Sequence, residues 1–109
     1  MSTLILIKSE SGMGKVEEGL RLAVAMIGMD HIPHVVFIGE GVECLIHEGS
    51  SGIVYEYLKT LSSLIEINVF SESMIERGLK PEDLDVKATL IGIEHLGKMM
   101  QECKSIAAF

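Results

Sequence analysis

The sequence predicts a single α/β domain, with a parallel sheet of about five strands and helices on both faces. Short apolar runs alternate with segments of helical periodicity along the whole 109-residue chain. The apolar runs are continuous, which is typical of parallel strands covered on both faces. No repeat, low-complexity tract or linker interrupts the alternation. We therefore expect one domain spanning residues 1–109.

The elements follow from the pattern in order along the chain. Apolar runs predict strands over residues 4–7, 34–38, 64–70, 86–91 and 105–109. Helical patterns lie between them, over residues 16–29, 42–47, 53–62, 72–77 and 94–102. Ser71 is a suitable N-cap for the fourth helix, Gly78 can end it, and Pro81 keeps the following loop from continuing it.

The first helix carries an unusual amount of apolar surface. Glu17 and Arg21 are four residues apart, in the orientation that favours an ion pair on a helix surface. From Leu22 to Met29, however, no polar side chain occurs. Either the helix is deeply buried on one side with Ala and Gly facing solvent, or it presents a protein–protein contact surface.

Composition excludes several classes of function. The formal net charge is −7, the isoelectric point is near 5.0, and Lys and Arg form no cluster, which argues against direct nucleic-acid binding. No apolar run approaches the roughly 18–20 residues needed to cross a bilayer. The amino-terminal apolar run has no charged region before it, unlike a signal peptide. We therefore expect a cytoplasmic protein without a membrane partner.

The stretch SESGMGKVEEGL, residues 9–20, superficially resembles a phosphate-binding loop. Such a loop needs a hydroxyl residue after Gly-Lys, but Val16 follows Gly14-Lys15, and Ser9 stands where the first glycine belongs. The dinucleotide-binding pattern fails as well, because Glu17 occupies the position of its third glycine. The loop therefore predicts a turn, and we expect no nucleotide cofactor.

Cys44 and His47 are three residues apart in a short predicted helix. They could form a thiolate–imidazole pair or part of a metal site, or Cys44 could be a small buried apolar residue. A metal site would need a further ligand, and none occurs at a recognised spacing, so no metal is expected. His31 and His34 flank Ile-Pro in a turn, which indicates surface positions.

Cys103 ends the last predicted helix, directly before the final strand. Lys104 would stabilise a thiolate there, whereas Glu102 and the negative end of the helix dipole would oppose it. His95 lies eight residues earlier, about 80° away around the helix and more than two turns along it, so direct pairing is not expected. This junction is also at the edge of a parallel sheet that less often binds ligands.

The sequence contains INVFSESMIERGL at residues 67–79 and ECKSIAAF at residues 102–109, together with GKVEEGLRLA and VVFIGEGVECLI. These four stretches resemble the DsrE/DsrF/DsrH superfamily of sulfur-relay proteins, also called TusD/TusC/TusB. INVFSESMIERGL, residues 67–79, resembles that superfamily's strand, helix and Arg-Gly turn. ECKSIAAF, residues 102–109, is similar to the end of the DsrH/TusB branch, in which a Cys precedes a short strand ending in an aromatic residue. GKVEEGLRLA and VVFIGEGVECLI are more similar to DsrE/DsrF members. The resemblance covers nearly the whole chain.

This resemblance implies a flavodoxin-like fold and assembly into homo- or hetero-oligomers with DsrE/F/H-like subunits. It implies that sulfane sulfur is carried as a cysteine persulfide and exchanged with donor and acceptor proteins. The family serves oxidative sulfur metabolism or thiolation of the tRNA wobble uridine. Thiol exchange of this kind needs neither metal nor nucleotide.

The same resemblance identifies Cys103 as the candidate catalytic residue. DsrE/TusD proteins carry sulfur on a Cys eight residues before the Gly of the Arg-Gly turn, and here that position is Phe70. DsrH-type proteins instead have a Cys just before the last strand, the place of Cys103. Cys44 matches no cysteine known to us in the family. If Cys103 is inert, the chain would resemble DsrF/TusC-like subunits, which have a structural role.

Overall fold

The computed structural model describes residues 2–10, 14–46 and 52–109. Its strands are β1 (Thr3–Ile7), β2 (His34–Phe37), β3 (Ile67–Phe70), β4 (Ala88–Ile91) and β5 (Ser105–Ala108). Its α-helices are α1 (Gly14–Gly28), α2 (Gly52–Leu64), α3 (Ser71–Glu76) and α4 (Ile93–Glu102). Two short 3₁₀ helices, Gly39–Leu45 and Pro81–Asp83, complete the described elements.

The five strands form one sheet in the order β4-β3-β2-β1-β5, and every neighbouring pair is parallel. β1 lies between β2 and β5, so that Leu4 is paired with both His34 and Ile106. Successive side chains of a strand point to opposite faces, which places Leu4 and Leu6 on one face and Ile5 and Ile7 on the other.

Helices cover both faces of the sheet, as predicted. On one face Ile5 and Ile7 belong to a large core cluster with the buried side chains of α1, α2 and α3. On the other face Leu4 and Leu6 pack in a smaller cluster with side chains of α4, among them Leu96. The predicted α/β class, with five parallel strands and helices on both faces, is confirmed.

Several predicted boundaries are wrong. The third strand begins at Ile67 rather than residue 64, because α2 extends through Leu64. The fourth strand begins at Ala88 rather than residue 86. The short helix predicted over residues 42–47 is a 3₁₀ helix over Gly39–Leu45. Ser71 is not an N-cap: Phe70 occupies that position without a side-chain cap.

The surface of α1 combines polar and apolar side chains. The predicted ion pair is confirmed, with Arg21 Nη2 2.8 Å from Glu17 Oε1. Val16 and Leu20 are buried against the sheet. Leu22 is exposed, so the solvent-facing side of this helix is not limited to Ala and Gly, and Met29, directly after the helix, is exposed as well. A large apolar side chain on a wet face is consistent with a contact surface.

The Arg-Gly turn after α3 is a Schellman motif. The amide of Leu79 donates to the carbonyl of Met74, and the amide of Gly78 donates to the carbonyl of Ile75. Gly78 has a φ of +65°, which glycine adopts without the steric cost of a Cβ. Gly78 therefore ends α3 as predicted. Arg77 reaches back, with Nη1 donating to the Ser73 carbonyl at 3.2 Å.

Candidate functional site

Cys103 is the C-cap of α4, and its position is set by backbone hydrogen bonds. Its amide donates to the carbonyl of Met99 at 3.0 Å, which completes the last turn of the helix. The backbone then becomes extended, with φ −80° and ψ 135°, and leads into β5. The side chain is partly buried and packs against the α4 side of the sheet. Cys103 is therefore partly accessible, and its backbone is held in place.

Ser2 forms hydrogen bonds to the backbone on both sides of Cys103. Its carbonyl accepts hydrogen bonds from the amides of Lys104, at 3.0 Å, and Ser105, at 3.3 Å. Its hydroxyl donates to the carbonyl of Glu102 at 3.2 Å, satisfying one of the free carbonyls at the helix end. The chain on both sides of Cys103 is thus tied to the segment that precedes β1.

A cavity of about 400 Å³ opens beside Cys103. Its lining consists of Ser2, His34, His95, Lys98, Met99, Glu102 and Cys103. Lys98 and Glu102 are loosely paired, with Nζ 3.9 Å from Oε1, and both side chains are largely exposed. The thiol therefore shares a cavity with imidazole, ammonium and carboxylate groups, which can bind a polar ligand and exchange protons with it.

A second cavity, of about 330 Å³, adjoins the first. The two share His34, His95 and Met99 in their linings. The second continues along the starts of β2 and β3, and its remaining lining residues are Ile32, Pro33, Leu64, Ile65, Glu66 and Asn68. We call the two together the amino-edge groove, because their residues lie where strands begin.

Asn68 is the buried polar residue of this groove. It is only 3% exposed, and it lies on the face of the sheet that α4 partly covers. Its Nδ2 donates to the Val35 carbonyl at 3.2 Å. Its Oδ1 has no hydrogen-bond partner among the described residues. A buried acceptor without a donor is energetically unfavourable, so unpaired oxygens of this kind are rare in folded proteins.

Cys44 is a buried core residue, as the plainest of its three interpretations predicted. It is 1% exposed within the main core, and its Sγ donates weakly to the Ser9 carbonyl at 3.5 Å. Burial, reinforced by the negative charge of Glu43, raises the pKa of the Cys44 thiol to about 12. A thiol that stays protonated at neutral pH is a poor nucleophile.

Some of the other predicted site residues lie outside the part of the chain that the structure describes. His47, the predicted partner of Cys44, and residues 11–13 of the glycine-containing loop lie outside the described residues. Within the described part of the chain, no three His, Cys, Asp or Glu side chains are grouped so as to hold a metal ion. No described helix has the length and apolar character needed to cross a membrane.

The groove itself was missed by sequence reasoning. His34 is exposed, as predicted, but it also lines both cavities together with His95. The sequence pattern predicts Asn68 only as part of an apolar strand. Its one visible signal is a lone amide in the run INVF, whose neighbours are all apolar.

The chain matches the DsrE/DsrF-like family over residues 1–109. It belongs to that family. Among curated proteins it is similar to a TusC homolog of Vibrio parahaemolyticus, with 28% identity over 114 aligned residues. The alignment covers 98% of this chain and 97% of the relative. This similarity points to the TusC branch and does not support the DsrH/TusB branch expected from residues 102–109.

Two solved structures share the fold of this family member. The ychN protein of E. coli has a TM-score of 0.83 at 14% identity, with full coverage of both chains. A protein of unknown function from Methanobacterium thermoautotrophicum, MTH1491, has a TM-score of 0.79 at 15% identity, covering 99% of this chain and 98% of the other. Similarity at such low identity supports the fold alone.

Proposed function

We propose that this chain is a sulfur-relay protein that carries sulfane sulfur as a persulfide on Cys103 and passes it to a partner protein. The observation that carries the proposal is the contrast between its two cysteines. Cys103 is accessible beside a polar cavity, whereas Cys44 is buried with a raised pKa. Only an accessible thiol can attack a donor and later be attacked by an acceptor.

The surroundings of Cys103 suit thiolate chemistry despite the helix end. The carboxyl end of α4 opposes a negative charge on sulfur. Lys98 and His95 line the same cavity, and Lys104 follows directly in the chain. These cationic or ionisable groups can offset the unfavourable helix dipole at the thiolate.

The position of Cys103 also supports the proposal. It lies two residues before β5, close to the place where DsrH/TusB-like members have a cysteine. Phe70, at the position that carries sulfur in DsrE/TusD proteins, has no sulfur chemistry and packs on the same cluster as Cys103. We infer that this chain combines overall similarity to TusC with a DsrH-like sulfur position.

The proposal is tested by intact-mass analysis of reduced protein after incubation with inorganic polysulfide. We expect a gain of one sulfur atom, about 32 Da, that reductant reverses and that Cys103→Ser abolishes. Cys44→Ala, the matched control, should still gain the sulfur. The absence of an adduct on wild type, under conditions that load a known persulfide carrier in parallel, would contradict the proposed carrier role.

A second candidate function is that of a structural subunit in a DsrE/F/H-like oligomer. The similarity to the TusC homolog favours it, as do the exposed apolar side chains of Leu22 on α1 and Met29 directly after it. In that case partner subunits would co-purify equally well with wild type and Cys103→Ser. Loss of sulfur transfer in Cys103→Ser, with assembly intact, would reject a purely structural role.

A further inference from the structure

The amino-edge groove is open to solvent, and the volumes of its cavities fall within the range of small-molecule sites. Its two cavities measure about 400 and 330 Å³. Ligand pockets typically enclose roughly 300–1,000 Å³. Because Cys103 lines one cavity and Asn68 the other, a ligand filling both would reach from the thiol to the buried amide.

The length of the groove limits what can fill it. Asn68 lies on β3 and Cys103 lies two residues before β5, and these strands are three positions apart in the sheet. Neighbouring strands are about 4.8 Å apart, so the span is on the order of 14 Å. An extended peptide covers about 3.3–3.6 Å per residue. Three or four residues would match this span, whereas a small inorganic anion would not.

The charges of the groove favour a ligand that carries both signs. Lys98 supplies a cation near Cys103, while Glu102 and Glu66 supply carboxylates. Two carboxylates disfavour a purely anionic ligand such as thiosulfate. A short peptide has carboxylate groups for the ammonium and an amino group for a carboxylate.

Asn68 adds an independent requirement for a hydrogen-bond donor. Its Oδ1 is buried, lies in a residue that lines the second cavity and has no partner among the described residues. A peptide amide or ammonium entering the groove could donate to this oxygen after a small side-chain adjustment. Satisfying an otherwise unpaired buried acceptor stabilises the complex relative to the free protein.

We propose that the amino-edge groove binds a low-molecular-weight peptide persulfide, of the glutathione persulfide class, and presents its outer sulfur to Cys103. This inference rests on the proposed function, because it names the sulfur donor of that same site. Extended peptide backbone along the groove would place hydrogen-bonding groups near His34 and His95, which line both cavities.

The transfer step is balanced without any other reactant. The Cys103 thiolate attacks the outer sulfur of the donor R–S–SH, so a new S–S bond forms as the donor's S–S bond breaks. The electron pair of the broken bond leaves on the peptide thiolate, R–S⁻. The proton remains on the transferred sulfur, and Cys103 becomes a persulfide with no net oxidation or reduction.

Binding is tested apart from chemistry with S-methylglutathione, which cannot transfer sulfur, titrated into the Cys103→Ser protein by NMR. We expect saturable shifts at residues of the groove. Asn68→Leu and His95→Ala should each weaken binding about tenfold or more. His31→Ala is the matched control, because His31 is exposed but lines neither cavity. No saturation up to about 10 mM, or equal affinity in every variant, would overturn the inference.

Transfer is tested by loading wild type with glutathione persulfide and, separately, with inorganic polysulfide. Faster loading by the peptide, slowed by Asn68→Leu while polysulfide loading is unchanged, supports the groove as the donor site. If polysulfide loads Cys103 but the peptide neither binds nor loads, this inference fails and the proposed function stands. If the peptide binds but neither donor loads Cys103, the groove is a peptide-binding site without a donor role, and both this inference and the proposed function fail. If only a persulfidated protein loads Cys103, the small-molecule donor is rejected.

Discussion

The raised pKa of Cys44 predicts a specific dependence of stability on pH. An unperturbed cysteine has a pKa of 9.0, and in the folded protein the pKa of Cys44 is raised to about 12. Well below pH 9 the thiol is protonated in both the folded and the unfolded chain, so the full contribution of the buried thiol to stability is present. As pH rises from 9 towards 12, the unfolded chain releases the proton and the folded chain retains it, so stability falls.

The magnitude follows from linkage. The free energy of unfolding falls by at most about 1.4 kcal/mol per pH unit while the folded chain retains one proton that the unfolded chain has released. At pH 10 the unfolded thiol is mostly ionised, while the folded thiol is still protonated. We therefore expect Cys44 alone to lower the free energy of unfolding by about 1 kcal/mol between pH 8 and pH 10. Because pH 10 is well below 12, this figure changes little if the folded pKa is one unit lower.

The assay is urea unfolding of wild type and Cys44→Ala at pH 8 and pH 10. All other ionisable groups are present in both proteins, so their contributions cancel in the difference. The wild type should lose about 1 kcal/mol more than Cys44→Ala over this interval. Cys103→Ala, which keeps Cys44, should behave like wild type. An equal loss in wild type and Cys44→Ala would refute the buried, protonated thiol on which the contrast between the cysteines depends.

Two further predictions concern packing at the carboxyl end of β1. Gly41→Ala should lower the free energy of unfolding by about 2 kcal/mol or more, because an added Cβ would collide with the backbone carbonyl of Ile7. The control is Gly97→Ala, where the space is open, and it should be neutral or stabilising in the same urea assay. Phe109→Ala should cost about 2 kcal/mol, because the half-buried ring packs over Gly19 and the main core. Unchanged urea midpoints for Gly41→Ala or Phe109→Ala would contradict these contacts.

The architecture could be predicted from sequence because it depends on patterns of many residues. Continuous apolar strands specify a sheet covered on both faces, and the alternation with helices specifies parallel strands. Boundaries were less accurate because they depend on single contacts. Leu64 fits a strand or a helix equally well by its apolar character, and only packing in the folded chain assigns it to α2.

The candidate site was only partly predictable, for a physical reason. Cys103 could be named as a candidate because a thiol is chemically distinctive and its place before the last strand resembles a known pattern. The groove could not, because it joins residues from four separate parts of the chain, from Ser2 to Cys103. Asn68 is informative only through a missing hydrogen bond, and a missing contact leaves no mark in a sequence.

The geometry has a consequence for how a relay partner must approach. Phe70 lies at the carboxyl end of β3 and Cys103 at the amino edge, although both pack on the α4 face of the sheet. The sulfur transfer proposed for Cys103 would therefore take place at the opposite end of the sheet from the DsrE-type position. Ile32 and Leu64 line this end and are largely exposed, which supplies apolar contact area for a docking protein. A partner that docks only at the carboxyl edge could assemble with this chain but could not reach its thiol, so carrier and structural roles would require contacts at different ends of the sheet.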